Sequence, residues 1–140
     1  MGSYLILLDA YPLVAYITGE PPADEVMALL EDGFAGVPAI NAAETLDVVC
    51  RVYGADPDDV ERELDSLVAQ DVLRVLPSTR RLAWLAGRLR LEHYHRRSRS
   101  LSIADCFLLA SAGSDDAIAT VDPAVLEVAR FEGIATVALA

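Results

Sequence analysis

Apolar residues follow two rhythms along this chain. Short runs that are almost wholly apolar alternate with longer stretches in which apolar positions recur every three or four residues. The short runs predict strands over Tyr4 to Leu8, Phe34 to Val37, Val72 to Leu76, Ala117 to Thr120 and Ala135 to Ala138. The longer stretches predict helices. One runs from Pro12 to Ile17, a second from Ala23 to Leu30 after Pro21-Pro22, and a third from Asn41 to Tyr53, stopped by Gly54. Asp56-Pro57-Asp58-Asp59 combines a cap, a first-turn proline and first-turn acids, and opens a helix to about Gln70. Ser78 caps a helix reaching about Tyr94, Ser102 opens one to Ala112, and Asp122-Pro123 opens the last. The polar stretch His95 to Ser100 reads as a loop.

Strands separated by helices imply a mostly parallel sheet of four or five strands with helices on both faces, a three-layer α/β/α arrangement. The strands do not alternate apolar with polar, as expected when both faces are covered. In such sheets ligands collect at the carboxyl ends of the strands. Chemistry is therefore sought in the residues that follow Leu8 and Thr120 and at the helix starts near them.

The chain has 140 residues, 54% of them hydrophobic, enough for one domain over residues 1–140 with a core of its own. Cys50 and Cys106 sit within helical apolar patterns and read as free thiols of a reducing compartment. The N-terminal Met1-Gly2-Ser3-Tyr4 lacks a positively charged region, and Asp9 and Glu20 interrupt the best candidate span. The expectation is a cytoplasmic protein without a membrane anchor. The net charge of −11 argues at first against a nucleic-acid partner. Its distribution changes that picture. Val72 to Ala104 holds eight arginines against the single acid Glu92, and the chain has no lysine.

Four acids stand where the sheet rule directs attention. Asp9 and Asp122 each follow a strand, while Glu44 and Asp105 lie near the starts of helices that can begin at the same rim. Each has a plain structural explanation. Asp9 and Asp122 are natural helix caps, and Asn41 with Glu44 and Ser102 with Asp105 have capping-box spacing. Together they mean more, because the topology would converge four carboxylates whose repulsion a hard cation relieves. Carboxylate oxygens with waters are the ligand set of magnesium or manganese.

Taken in order, Asp9 near the N-terminus, Glu44 on the third helix, Ala104-Asp105 on a late helix and Thr120-Val121-Asp122 after a strand resemble the PIN domain. Within that group the chain is similar to the VapC-type toxins of toxin–antitoxin pairs, over nearly its whole length. The resemblance implies a PIN-like fold and a magnesium- or manganese-dependent endoribonuclease, usually dimeric and inhibited by a cognate antitoxin. It also implies that Asp9 and Asp105 are the principal metal ligands, that Glu44 and Asp122 complete the pocket, and that Thr120 orients a ligand or water. One departure stands out. The family often has Ser, Thr or Asn just after its first Asp, whereas Ala10 and Tyr11 follow here, leaving the hydrogen-bonding support of Asp9 open.

Such a site would hydrolyse RNA phosphodiesters with metal assistance and would need no His or Cys nucleophile. Arg88, Arg96, Arg97 and Arg99 are candidates for gripping RNA phosphates, with a solvated helix end or an acidic protein partner as the alternatives. His93 and His95 read as solvated or RNA-contacting rather than catalytic. Ala23 to Leu30 and Val60 to Val68 could supply a dimer face or serve the chain's own core.

Other classes fall away. Receiver domains and P-loop nucleotidases need a lysine, no GxGxxG follows the first strand, and Tyr11 stands where a dehalogenase-like phosphatase wants a second Asp. Two rivals remain: a PIN nuclease of RNA processing without an antitoxin, and a PIN-like module that binds RNA or protein without cutting.

Overall fold

The computed structural model describes residues 4–139; Met1 to Ser3, read above for a leader, lie outside them. The described residues form twelve elements, each strand separated from the next by one or two helices. They are β1 (Ile6–Leu8), α1 (Ala10–Thr18), α2 (Ala23–Glu31), β2 (Ala35–Pro38), α3 (Ala39–Tyr53), α4 (Pro57–Ala69), β3 (Leu73–Leu76), α5 (Arg80–His93), α6 (Ile103–Ser111), β4 (Ala117–Thr120), α7 (Pro123–Phe131) and β5 (Ala135–Ala138).

The five strands form one sheet in the order β3-β2-β1-β4-β5, and every pairing is parallel. Successive connections run outward from β1 to β3, and the chain then crosses back to lay β4 on the other side of β1. The order thus reverses between β1 and β4, which opens a crevice at their carboxyl ends.

Alternation along the strands makes the layers. Leu7 and Ile118 are paired in register and face one side, where they pack with Ala86 of α5, Cys106, Leu108 and Leu109 of α6, and Val125 and Val128 of α7. Leu8 and Ala119, one residue on, face the other side and meet Leu13 of α1, Val26 and Leu30 of α2, and Leu67 of α4. Both faces are covered, as the apolar strands require. Val26, Leu30, Val60 and Leu67 of α2 and α4 are buried in this interior, while Met27 and Val68 on the same helices are exposed. Cys50 and Cys106 are both free thiols. No helix among the described residues is long and apolar enough to cross a membrane.

Several boundaries differ from the sequence reading. α1 begins directly after Asp9, whose side chain accepts from Ala10 N–H. Thr79, rather than Ser78, caps α5 by accepting from Leu82 N–H. α3 opens at Ala39, two residues before Asn41, because Pro38 ends β2 and feeds the helix without a side-chain cap. Glu44 therefore sits in the second turn. Gly54 does end α3, with φ at 75°; a side chain would be strained there.

Candidate active site

Strand register decides how the two strand-end acids meet. Leu8 pairs with Ala119, so the next residues, Asp9 and Thr120, lie side by side at the rim. Thr120 is fully buried, and its hydroxyl donates to Asp9 Oδ2 at 2.9 Å. Thr120 Oγ1 in turn accepts from Asp122 N–H at 3.0 Å. One hydroxyl thus links the end of β1 to the start of α7. Asp9 Oδ1 accepts from Ala10 N–H at 2.8 Å, and Asp122 Oδ1 accepts from Ala124 N–H at 2.9 Å. The support of Asp9 left open by Ala10 and Tyr11 is therefore supplied by Thr120. Tyr11 turns away and donates its hydroxyl to the Pro21 carbonyl.

Asp105 lies at the third position of α6 in a complete capping box. Its N–H donates to Ser102 Oγ at 3.0 Å, and its Oδ2 accepts from Ser102 N–H at 2.8 Å. The box engages Oδ2 and leaves Oδ1 to face other partners. Capping and site chemistry are thus compatible in one residue. Glu44 is half-buried on α3. Asn41 does not form the expected box with it. Asn41 is fully buried instead, and its Nδ2 reaches the Ala104 carbonyl at 3.4 Å, tying the start of α3 to the start of α6. Its Oδ1 is buried with no partner.

Electrostatics report how near the acids lie to one another. Burial, then the negative charge of Asp105 and, more weakly, that of Asp122, raise Asp9 to about 6 despite its two hydrogen bonds. Burial and then the charges of Asp9 and Asp105 raise Glu44. Burial raises Asp105, with Asp122 adding to the effect. Asp9, Glu44 and Asp105, from the end of β1, α3 and α6, are therefore each raised by the charge of at least one neighbouring acid at the topological switch point.

The donor chemistry is uniform: carboxylate oxygens, with uncompensated repulsion. Among the described residues, no three of these acids offer oxygens all within 4.8 Å of one another. An ion held here would therefore take one or two carboxylates directly and complete its shell with water, the habit of magnesium and manganese. The residues therefore fit the divalent cation expected from the sequence.

A different trio, Glu92, His93 and Glu132, does offer atoms within that range. The sequence pattern predicts a solvated or RNA-contacting His93. It is buried instead, with Nε2 at 2.8 Å from Glu132 Oε2 and its ring stacked on Phe131. The pair fastens the end of α5 to the end of α7, and this hydrogen bond accounts for the geometry.

The arginines divide into two sets. Arg99 was expected to grip phosphate. It turns inward, with Nε on the His93 carbonyl at 2.8 Å, Nη1 at 3.2 Å from Glu127, and its guanidinium over the Phe131 ring. Arg90 likewise donates to the Leu101 carbonyl and lies over Tyr94. Arg88, Arg96 and Arg97 are exposed, and among the described residues no side-chain partner engages them. The inward turn of Arg99 was not legible, because its partners lie 28 and more residues away or on the backbone of a buried histidine.

The chain matches the family model for the PIN domain over residues 6–131. A search of curated proteins finds no match. Among solved structures, the chain is similar to DNA-bound VapBC from Salmonella typhimurium, with a TM-score of 0.70 and 19% identity over 99% of this chain and 98% of the other. It is similar to FitAcB from Neisseria gonorrhoeae, with a TM-score of 0.63 and 22% identity over 94% and 96% of the two chains. It is also similar to VapC20 of Mycobacterium tuberculosis, described as a toxin that cleaves the sarcin–ricin loop, with a TM-score of 0.59 and 17% identity over 92% and 84%. At these identities the structural likeness speaks to the fold. With the family model spanning nearly every element of the sheet and its helices, the chain belongs to the PIN-domain family.

Proposed function

We propose that this chain is a metal-dependent endoribonuclease that hydrolyses RNA phosphodiesters, acting as the toxin of a toxin–antitoxin pair. The observation that carries the reading is the gathering of Asp9, Glu44 and Asp105 at the switch-point crevice, where burial first and the charges of neighbouring acids second raise all three, Asp9 to about 6. A protein that spends folding stability on clustered charge gains from the ligand that neutralises it. Similarity to a toxin described as cleaving the sarcin–ricin loop, and to VapBC structures, supports the substrate class and the antitoxin partner.

Asp9 and Asp105 would hold magnesium or manganese, with Glu44 and Asp122 completing the acidic ring. The bound cation supplies a Lewis acid for the phosphoryl oxygens and for the attacking water. The chain's own groups do the positioning. Thr120 fixes the Asp9 carboxylate by donating to Oδ2, so Oδ1 and the remaining lone pairs keep a set direction. The Ser102 backbone N–H orients Asp105 in the same way. Asn41 holds α3 against α6, which sets Glu44 relative to Asp105. Asp9, raised to about 6 by burial and by Asp105, can release or accept a proton near neutral pH as the phosphodiester is cleaved.

The decisive experiment incubates a structured RNA with the chain in manganese, in chelator, and with the Asp105→Asn variant. Metal-dependent cleavage lost in the variant supports the reading. Absence of cleavage in manganese with intact RNA binding would make the chain a non-cutting binder. A small antitoxin gene beside this one separates a toxin from an RNA-processing nuclease.

RNA contact by the free arginines has its own readout. Arg96→Ala with Arg97→Ala is expected to weaken RNA binding at low salt and to make the slope of log K against log salt shallower by roughly 1 to 2. An unchanged slope in a filter-binding salt series assigns both side chains to bulk solvent.

A further inference from the structure

Asn41 is fully buried, yet only half of its amide is engaged. Nδ2 donates to the Ala104 carbonyl at 3.4 Å, while Oδ1 has no partner among the described residues. A buried acceptor without a donor is penalised, because water has been stripped from it and nothing has replaced it. Such atoms are few in folded proteins, and each calls for a physical reason. The neighbouring donors do not supply one. Thr45 gives its hydroxyl to the Asn41 carbonyl at 2.8 Å, and Thr120 gives its own to Asp9. Helix α3 starts without a side-chain cap, so Oδ1 does not serve the free N–H groups of its first turn. Asn41 and Glu44 stand three residues apart on α3 and share a face. That face meets the start of α6, because the amide reaches Ala104 and the charge of Asp105 is felt at Glu44. Oδ1 thus lies in the seam that carries these two carboxylates, which when ionised accept hydrogen bonds and donate none.

We infer that Asn41 Oδ1 accepts a hydrogen bond from a hydrating water of the divalent cation, so that this amide helps to hold the ion without touching it. This role rests on the metal-dependent reading proposed above. Magnesium dehydrates reluctantly and exchanges few of its waters for carboxylates. The waters that stay are polarised by the ion, which makes them strong donors in need of acceptors. A neutral amide oxygen meets that need without adding to the repulsion among the acids. A fifth carboxylate at the same place would add to it. The bond from Nδ2 to Ala104 also fixes which way the amide faces. Turned over, it would set Oδ1 against the Ala104 carbonyl, acceptor against acceptor. One side chain therefore ties α3 to α6 with its donor and keeps its acceptor for the hydrated ion.

Two substitutions of the full chain provide the test. Asn41→Leu copies the branched shape of the amide without either polar atom, and Asn41→Ala removes both atoms without overpacking. Manganese binding is read from the paramagnetic-resonance signal of the free ion. Melting is followed in chelator and at one fixed manganese concentration. Both variants are expected to bind manganese roughly 10- to 100-fold more weakly than the wild type and to gain less melting temperature from it. In chelator Asn41→Leu should melt no lower than the wild type, because the unpaired acceptor leaves together with the tie. Wild-type manganese affinity in a variant that melts normally in chelator overturns the inference and leaves the nuclease reading standing. So does a lowered melting point of both variants in chelator, since Asn41 would then be a structural tie whose loss loosens the seam. A wild-type chain that binds no manganese at all removes the cation itself, and the nuclease reading falls with it.

Discussion

Asp105→Asn is expected to remove metal-dependent RNA cleavage by about a thousandfold or more, the rate equivalent of several kcal/mol of lost charge stabilisation. The substitution isolates charge from structure. The capping box needs an acceptor for Ser102 N–H and the Asp105 N–H as donor, and asparagine supplies both through its carbonyl oxygen and its backbone. Helix α6 should therefore keep its start. Removing one of the mutually repelling charges should also relieve Asp9, whose pKa is raised by Asp105 more than by any other charged neighbour. The variant in chelator is accordingly expected to melt no lower than the wild type, and its Asp9 carboxyl, followed by carbon-detected NMR, should titrate lower. A variant that cleaves at the wild-type rate in manganese would remove Asp105 from the site.

In chelator, the wild-type chain is expected to lose stability as pH rises from about 4 to about 6.5. The direction follows from proton linkage. Asp9 rises from 3.8 to about 6 in the folded chain, so the folded state holds its proton more tightly than the unfolded state. Stability is then complete below the unfolded value and is lost as pH climbs through the folded one. The shift corresponds to about 3 kcal/mol. Glu44 and Asp105 are raised in the same direction and steepen the decline. Asp9→Asn removes most of this slope and should leave the metal-free protein more stable at pH 7.5. The gain is about 2 kcal/mol once the weakened Thr120 hydrogen bond is counted. Manganese should stabilise only the wild type, by about 2.7 kcal/mol at a hundredfold excess over its dissociation constant. Urea titrations at several pH values, with and without manganese, read both effects. A pH-independent difference between wild type and Asp9→Asn would show that Asp9 carries no buried charge in solution.

The fold was legible because its signals are local. Gly54 ends α3, Asp56 and Pro57 open α4, and the wholly apolar strands announce a sheet covered on both faces. The misplaced starts of α1, α3 and α5 share a cause. At each, several residues could serve as a cap, and the end of the preceding strand or loop chose among them. Asn41 is the instructive case. Three residues before Glu44 on a helix, it has capping-box spacing, yet it sits inside the helix and spends its amide on Ala104, 63 residues away. His93 and Arg99 were misjudged for a related reason. A polar residue in a basic stretch reads as solvated until a distant partner such as Glu132 or Glu127 is seen to bury it.

The order of apolar runs, the caps and the four acids with their spacing belong to the sequence itself, because each depends on neighbours within a helical turn or on strand pleat. That Asp9, Glu44 and Asp105 are raised by the charges of neighbouring acids, that Thr120 joins Asp9 to Asp122, and that Trp84 and Leu91 are left uncovered were decided by the tertiary structure. Strand order and register bring together residues more than a hundred positions apart, as Asp9 and Thr120 are. No local rule carries information over that distance. Only packing of the two layers against the sheet settles which of several compatible arrangements is lowest in free energy.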